Sequence, residues 1–143
     1  MNNKCVGITA EYNPFHNGHL YHLEQSKLAT GAQISVAAMS GNFVQRGHMA
    51  ICSKWERAEA AVKCGIDLVV EIPTVFACNS APVFASAAVE ILENLGADWI
   101  SFGSESGNIE ELKEISRAMN EKEPLIEKLV REKVKEGLSY PRA

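Results

Sequence analysis

The chain has 143 residues, of which 46% are apolar and 22% are charged, a composition typical of an ordinary globular domain. Its formal charge of −4 excludes a strong overall positive field, so a nucleic acid would need a local basic surface or other parts of a protein. The sequence shows neither a secretory signal nor an uninterrupted apolar span, so we predict a cytoplasmic protein with no membrane contact.

Four short apolar segments predict strands over residues 5–10, 33–39, 67–72 and 97–102. Segments with helical periodicity lie between them, over residues 19–30, 53–64 and 81–95, and a glycine that can end a helix follows each, namely Gly31, Gly65 and Gly96. The order is β-α-β-α-β-α-β, and the strands are apolar on both faces. This pattern predicts an α/β fold, a Rossmann-like parallel sheet with helices on both faces.

The charged C-terminal part of the chain predicts two helices that are broken near Pro124. We therefore expect an α/β core over residues 1–107 and a helical segment over residues 108–143. The ending GLSYPRA has the character of a turn, so we expect the native chain to continue beyond it.

Three histidines stand close together in the segment EYNPFHNGHLYHL, residues 11–23. On a helix, His16, His19 and His22 would advance by about 300° at each step, so we expect their rings not to stack. Four well-separated cysteines and the lack of an H-E-x-x-H pattern also disfavour a zinc site. Surface histidines are the simplest alternative, and His22 fits it as well as a functional role.

His16 and His19 flank Gly18 at the predicted junction between the first strand and the first helix. Such a junction presents free backbone N–H groups and the positive end of the helix dipole, which favours a phosphate. Gly18 would let the phosphate approach the backbone. One imidazole on each side would then hydrogen-bond the phosphate oxygens.

Four segments carry a family resemblance: EYNPFHNGHLYHL (11–23), MSGNFVQRG (39–47), FGSES (102–106) and GLSYPRA (137–143). The chain resembles the nucleotidyltransferase superfamily with the H-x-G-H motif and, within it, the N-terminal part of the tRNA(Met) cytidine acetate ligases. The resemblance implies that acetate attacks the α-phosphate of ATP to form acetyl-adenylate. The wobble cytidine of elongator tRNA(Met) then takes the acetyl group and becomes N4-acetylcytidine.

The resemblance also implies which residues act. His16 and His19 would be catalytic, binding and polarising the phosphates. The implied ATP-binding residues are Thr9, Ala10, Glu11, Tyr12, Asn13, Pro14, Phe15, His16, Asn17, Gly18, His19, Leu20, Tyr21, His22 and Gly103. Mg²⁺ would accompany the phosphates, and the sequence names no protein ligand for it. Most of the tRNA-binding surface is expected outside this chain.

A second group of candidates follows the second predicted strand and could contact acetate, pyrophosphate or the cytidine: Ser40, Asn42, Arg46 and Lys54. Arg46 is the strongest of them because a guanidinium fork suits phosphate. The alternative is a plain βα connection for the first three. For Lys54 and Arg57 the simpler expectation is a solvated helix face, which the N-cap Ser53 opens.

Two other functions remain open from the sequence. A small-molecule adenylyltransferase of the same superfamily would use nicotinamide mononucleotide or phosphopantetheine as the acceptor, although MSGNFVQRG argues against it. The other is an inactive nucleotide-binding or RNA-binding fragment.

Overall fold

A computed structural model describes residues 3–139 and residue 142 of the chain. The chain divides into two compact units, residues 1–103 and residues 104–143. The domain boundary predicted after residue 107 stays a prediction. In the segment GLSYPRA, Tyr140, Pro141 and Ala143 lie outside the described residues.

The first unit is an α/β sheet structure. Its elements are β1 (Cys5–Ala10), α1 (Asn17–Thr30), β2 (Ile34–Ser40), α2 (Lys54–Lys63), β3 (Leu68–Ile72), α3 (Thr74–Ala77), α4 (Ala81–Asn94) and β4 (Trp99–Ser101). All strand pairs are parallel, in the order β3-β2-β1-β4. The predicted α/β class and parallel sheet are confirmed. The four-residue helix α3 was not predicted, because a single turn is too short to show a helical period.

The helix boundaries follow the local capping chemistry. Gly31, Gly65 and Gly96 have φ angles of 65°, 105° and 80°, the left-handed conformation expected where a helix ends. At the start of α2, Ser53 accepts the N–H of Glu56, and the Glu56 carboxylate accepts the N–H of Ser53. This reciprocal pair confirms the predicted N-cap.

The core lies on both faces of the sheet, because successive side chains of a strand point to opposite sides. Val36 and Ala38 of β2 pack in one buried cluster with Ala88 and Leu92 of α4. The intervening Ala37 packs in a second cluster with residues of α1 and α2. The predicted placement of helices on both faces is therefore confirmed.

The strand order determines where a ligand site is expected. From β1 the chain crosses to β2 and β3 on one side of the sheet, and β4 adds on the other side of β1. The connections thus reverse direction at β1, and parallel sheets bind ligands outside the carboxyl ends of the strands at such a point. The histidine segment directly follows β1.

The second unit contains two helices, α5 (Ile109–Glu121) and α6 (Glu123–Lys135). The Asn108 side chain caps α5 by accepting the N–H groups of Glu110 and Glu111. Pro124 lies in the first turn of α6, where a missing N–H costs little, which explains the predicted break. Within the described residues, every helix is too short or too polar to cross a bilayer.

Candidate nucleotide site

The segment between β1 and α1 lines an open cleft of about 430 Å³. The lining residues are Ile8, Thr9, Ala10, Glu11, Tyr12, Asn13, Pro14, His16, His19 and His22. All of them except Ile8 belong to the predicted ATP-binding segment. Ile8 is a buried strand residue like its neighbours, so the sequence carries no signal that separates it. Phe15, Asn17, Gly18, Leu20, Tyr21 and Gly103 are not among the lining residues.

Tyr12 is the buried residue that fixes the loop between β1 and α1. It is 2% exposed and has a φ of 47°, the left-handed region that few residues other than glycine adopt. Its ring centroid lies 4.8 Å from that of Phe15 and 4.9 Å from that of His19. Burial raises the pKa of Tyr12 to about 12, so the phenol stays neutral and its role here is packing.

His16 and His19 close the N-terminus of α1 together. His16 Nδ1 accepts the N–H of Gly18 at 3.1 Å, and His19 Nδ1 accepts the N–H of His16 at 3.2 Å. The two rings are stacked, with centroids 3.7 Å apart and an interplanar angle of 20°. The expectation that the rings do not stack is wrong for this pair, and so is their placement on opposite sides of Gly18. His16 precedes the helix with an extended backbone, so its ring folds back over the first turn.

These caps determine which nitrogen atoms a ligand can meet. Both Nδ1 atoms accept a backbone N–H, so the proton of each neutral ring must be on Nε2. The pKa of His19 is lowered from 6.5, chiefly by burial and then by the nearby His16 and His22. At neutral pH His19 is therefore an uncharged ring with one N–H group left to donate, a suitable partner for a phosphate oxygen.

Gly18 makes room for the His16 ring. A Cβ atom at Gly18 would lie 3.0 Å from His16 Cε1 and 3.1 Å from His16 Nδ1. The free space and the free N–H that we expected to serve a phosphate are thus used by the imidazole. The glycine acts on the site through the position of His16.

His22 connects α1 to β4 at the point where the strand order reverses. Its Nε2 lies 3.1 Å from Ser101 Oγ, and Ser101 Oγ lies 2.6 Å from Ser26 Oγ. Ser26 donates its only hydroxyl proton to the His22 carbonyl at 2.6 Å, so Ser101 donates to Ser26 and His22 Nε2–H donates to Ser101. Burial lowers the pKa of His22, which keeps this ring neutral as well.

The candidates beyond β2 are not gathered in the same cleft. Asn42 Oδ1 accepts the N–H of Lys54 at 3.2 Å, and the Lys54 ammonium pairs with Glu71 at 2.5 Å. Ser40 is fully buried, and its Oγ has no hydrogen-bond partner among the described residues. Arg46 lines a second cavity, of about 480 Å³. The second cavity is lined by Glu11, Val44, Gln45, Arg46, His48, Ala81 and Phe84.

Arg57 was missed as a site residue. It is 1% exposed, so the expected solvated helix face is wrong for it. Its Nη1 donates to the Glu11 carbonyl at 2.5 Å, and its Nη2 donates to the carbonyls of Ser40 and Gly41. The guanidinium thus ties together the loops that follow β1 and β2. Ala58 and Ala61, one and four residues later, form the inner face of α2 and were the available signal.

A metal ion would find no ready ligand set in this part of the chain. The described residues contain no group of three or more His, Cys, Asp or Glu side chains placed to hold one.

The amino-acid sequence is similar to a known protein family and to several curated relatives. A family model described as HIGH Nucleotidyl Transferase matches residues 3–143. Relatives named tRNA(Met) cytidine acetate ligase share 51% identity in Caldicellulosiruptor saccharolyticus and 45% in Bacillus subtilis, over 98% of this chain in both cases. The chain spans about a third of the length of the curated relatives it matches, 35% and 34% for these two.

Two solved structures are similar to this chain in both sequence and fold. The crystal structure of Thermotoga maritima TmcAL bound with alpha-thio ATP is 44% identical, with a TM-score of 0.82, over 97% of this chain and 34% of the other. The apo form has a TM-score of 0.84 and covers 33% of that chain.

Proposed function

We infer that this chain, which belongs to the HIGH nucleotidyltransferase family, forms the ATP-binding part of a tRNA(Met) cytidine acetate ligase. The observation that carries the inference is the stacked pair of His16 and His19 in the cleft at the end of β1. The names of the relatives supply the substrates, and the bound alpha-thio ATP of a neighbouring structure supplies the nucleotide.

In the proposed reaction a carboxylate oxygen of acetate attacks the α-phosphorus of ATP, and pyrophosphate leaves. The N4 atom of the wobble cytidine of elongator tRNA(Met) then attacks the acetyl carbonyl, and AMP leaves. Transfer at a phosphate depends mainly on positioning and on stabilisation of negative charge, so the protein needs no covalent nucleophile. The Nε2–H groups of His16 and His19 are assigned to this stabilisation.

We propose that the other cleft residues from Thr9 to His22 hold the nucleotide by shape and by their backbone groups, and that Gly103 contributes at the end of β4. Mg²⁺ is proposed as a companion of the ATP phosphates. Because the described residues offer no ligand set, we assign no protein residue to it. We place the protein in the cytoplasm, where its four free cysteines would stay reduced.

The proposal is tested with the full-length protein, ATP, labelled acetate and elongator tRNA(Met). We expect label in the wobble cytidine of that tRNA and none in tRNA whose wobble base is not cytidine. Absence of label at every acetate concentration would contradict the proposal. Pyrophosphate release that requires nicotinamide mononucleotide or phosphopantetheine instead would favour the small-molecule adenylyltransferase.

The histidine pair is tested by His16→Asn and His19→Asn. Asparagine is itself a good N-cap, and its side-chain oxygen is an acceptor, so the helix end should survive in both variants. Each variant lacks the Nε2–H donor, so we expect acetate-dependent ATP–pyrophosphate exchange to fall about 10²- to 10³-fold, the usual cost of one lost donor. Exchange at the wild-type rate in both variants would remove the pair from the mechanism.

A further inference from the structure

Glu11 lines both the nucleotide cleft and the second cavity beyond the end of β2. We propose that the second cavity receives the cytosine base of the acceptor nucleotide and that the Glu11 carboxylate takes the proton that the base amine loses during acetyl transfer. This inference rests on the proposed function, and it assigns a site and a general base for its second step.

Glu11 is held firmly on one side and open on the other. Its carbonyl accepts a hydrogen bond from the buried Arg57 at 2.5 Å, and its Oε1 accepts the N–H of Gln45 at 2.6 Å. Gln45 is fixed in turn, because its side-chain amide donates to the carbonyl of Asn79 at 2.6 Å. Glu11 Oε2 has no hydrogen-bond partner in the described part of the chain. One carboxylate oxygen is therefore positioned by the fold while the other is available.

The walls of the second cavity suit a planar base. Val44, Ala81 and Phe84 give apolar surface for its faces, and Arg46 and His48 give polar groups for its edge. Unpaired bases are held in proteins by stacking on aromatic side chains and by hydrogen bonds to their edges. A carboxylate accepts a hydrogen bond from the cytosine amine, and a guanidinium donates to base oxygens or phosphates.

The same cavity is less suitable for acetate. An acetate carboxylate beside Glu11 would place two negative charges at close range, which raises the free energy of the bound state. A neutral base that donates through its amine has the complementary arrangement. Arg46 balances the charge of Glu11, so the second cavity has no net positive charge to attract a small anion.

Atoms and electrons balance in the proposed acetyl transfer. The lone pair of the cytosine N4 forms a bond to the acetyl carbon, and the bond from that carbon to the AMP oxygen breaks with its electron pair on AMP. One of the two N4 protons passes to Glu11 Oε2, and the other stays on the amide nitrogen of the product. Glu11 then returns the proton to water. Glu11 belongs to the wall that the two cavities share. From this position its carboxylate can reach the amine while the amine attacks the adenylate.

Glu11→Gln in the full-length protein tests the assignment. The amide keeps the oxygen that accepts the N–H of Gln45 but cannot take a proton. In single turnovers from preformed acetyl-adenylate, we expect transfer to tRNA to slow by about 10²-fold or more, in the range for loss of a general base. Acetate-dependent ATP–pyrophosphate exchange needs no tRNA and no proton acceptor for the base amine, so it should fall much less than transfer. The ratio of transfer rate to exchange rate is therefore the measured quantity, because Glu11 also lines the nucleotide cleft.

Arg46→Met gives a second readout. It removes the guanidinium from the second cavity, so we expect the KM for tRNA to rise by a larger factor than any change in pyrophosphate exchange. Transfer at the wild-type rate in Glu11→Gln, or equal losses of exchange and transfer, would overturn the inference. A wild-type protein that performs neither half-reaction would instead contradict the proposed function itself, so the two failures are distinguishable.

Discussion

At the scale of single residues, the hydrogen bonds of two imidazoles determine what the nucleotide cleft presents. The H-N-G-H pattern predicted that His16 and His19 act together at the start of α1, and both line the cleft. Their stacked arrangement could not be predicted from helical spacing, because His16 is the N-cap and has an extended backbone. Non-helical geometry at one residue was enough to change the direction of its ring.

Gly18→Ala should separate the stability of α1 from the geometry of the site. The new Cβ lies 3.0 Å from the His16 ring, so the ring must shift by a few tenths of an ångström, which weakens a cap worth about 0.5–2 kcal/mol. Alanine regains about 1 kcal/mol of helix propensity over glycine. We therefore expect unfolding free energies within about 1 kcal/mol of wild type but clearly weaker ATP binding, measured by urea unfolding and calorimetry. Gln25→Ala, an exposed position on α1, is the control and should retain ATP affinity. Unchanged ATP affinity in Gly18→Ala would contradict the role given to the His16 ring.

Acidification should destabilise the protein partly through His19. Its pKa in the folded protein lies below the ordinary value of 6.5, so the unfolded chain binds the proton more tightly. The contribution of His19 to the free energy of unfolding is therefore fully present above pH 6.5. It is lost as the pH falls through 6.5 toward the lower pKa of the folded protein. Urea unfolding between pH 8 and pH 5.5 should show a smaller decline in His19→Asn than in wild type. An identical decline would show that His19 does not contribute.

At the scale of elements, two side chains fasten the helices of one face to the strand ends. His22 joins α1 to β4 through Ser101, and Arg57 joins α2 to the ends of β1 and β2. Strands and long helices were predictable because their apolar periodicity is a local property. The role of Arg57 was not, since its partners are backbone carbonyls far away in the sequence. Ala58 and Ala61 indicate a buried face of α2, but no local pattern records which carbonyl groups the guanidinium meets.

Arg57→Met should destabilise the first unit strongly. The change leaves the carbonyls of Glu11, Ser40 and Gly41 without their buried donor, and each unsatisfied buried group costs about 1–3 kcal/mol. We expect a total loss of about 3 kcal/mol or more in chemical denaturation. Lys63→Met on the same helix removes an exposed i,i+4 pair with Glu59 and should cost less than about 0.5 kcal/mol. Similar losses in the two variants would contradict the structural role of Arg57.

At the scale of the whole chain, the first unit depends on a sheet that is covered on both sides. Continuous apolar strands predicted this coverage, because a strand that faces water on one side would alternate between apolar and polar residues. The strand order β3-β2-β1-β4 was not predictable residue by residue, since no local segment records its neighbours. The strand order predicts a ligand site after β1, and the cleft at that point is lined by residues of the histidine motif.

Leu92→Ala should show how far the first unit relies on α4. Leu92 is fully buried and approaches β1 closely, within 3.0 Å of where a Cβ of Gly7 would lie. Truncation of a buried leucine costs about 2–5 kcal/mol, and thermal unfolding should show a correspondingly lower Tm. Leu95→Ala, at an exposed position on the end of α4, should change stability much less. Equal effects would place the main core elsewhere.

The paired caps on α1 have one more consequence, which concerns salt. A site that attracts a triphosphate with full positive charges loses affinity as dissolved ions screen them. In the proposed site the two stacked rings instead donate through N–H groups to phosphate oxygens at hydrogen-bond distance, and screening acts little over so short a range. We therefore expect their share of the affinity for ATP to persist when potassium chloride is raised from low to near-molar concentration.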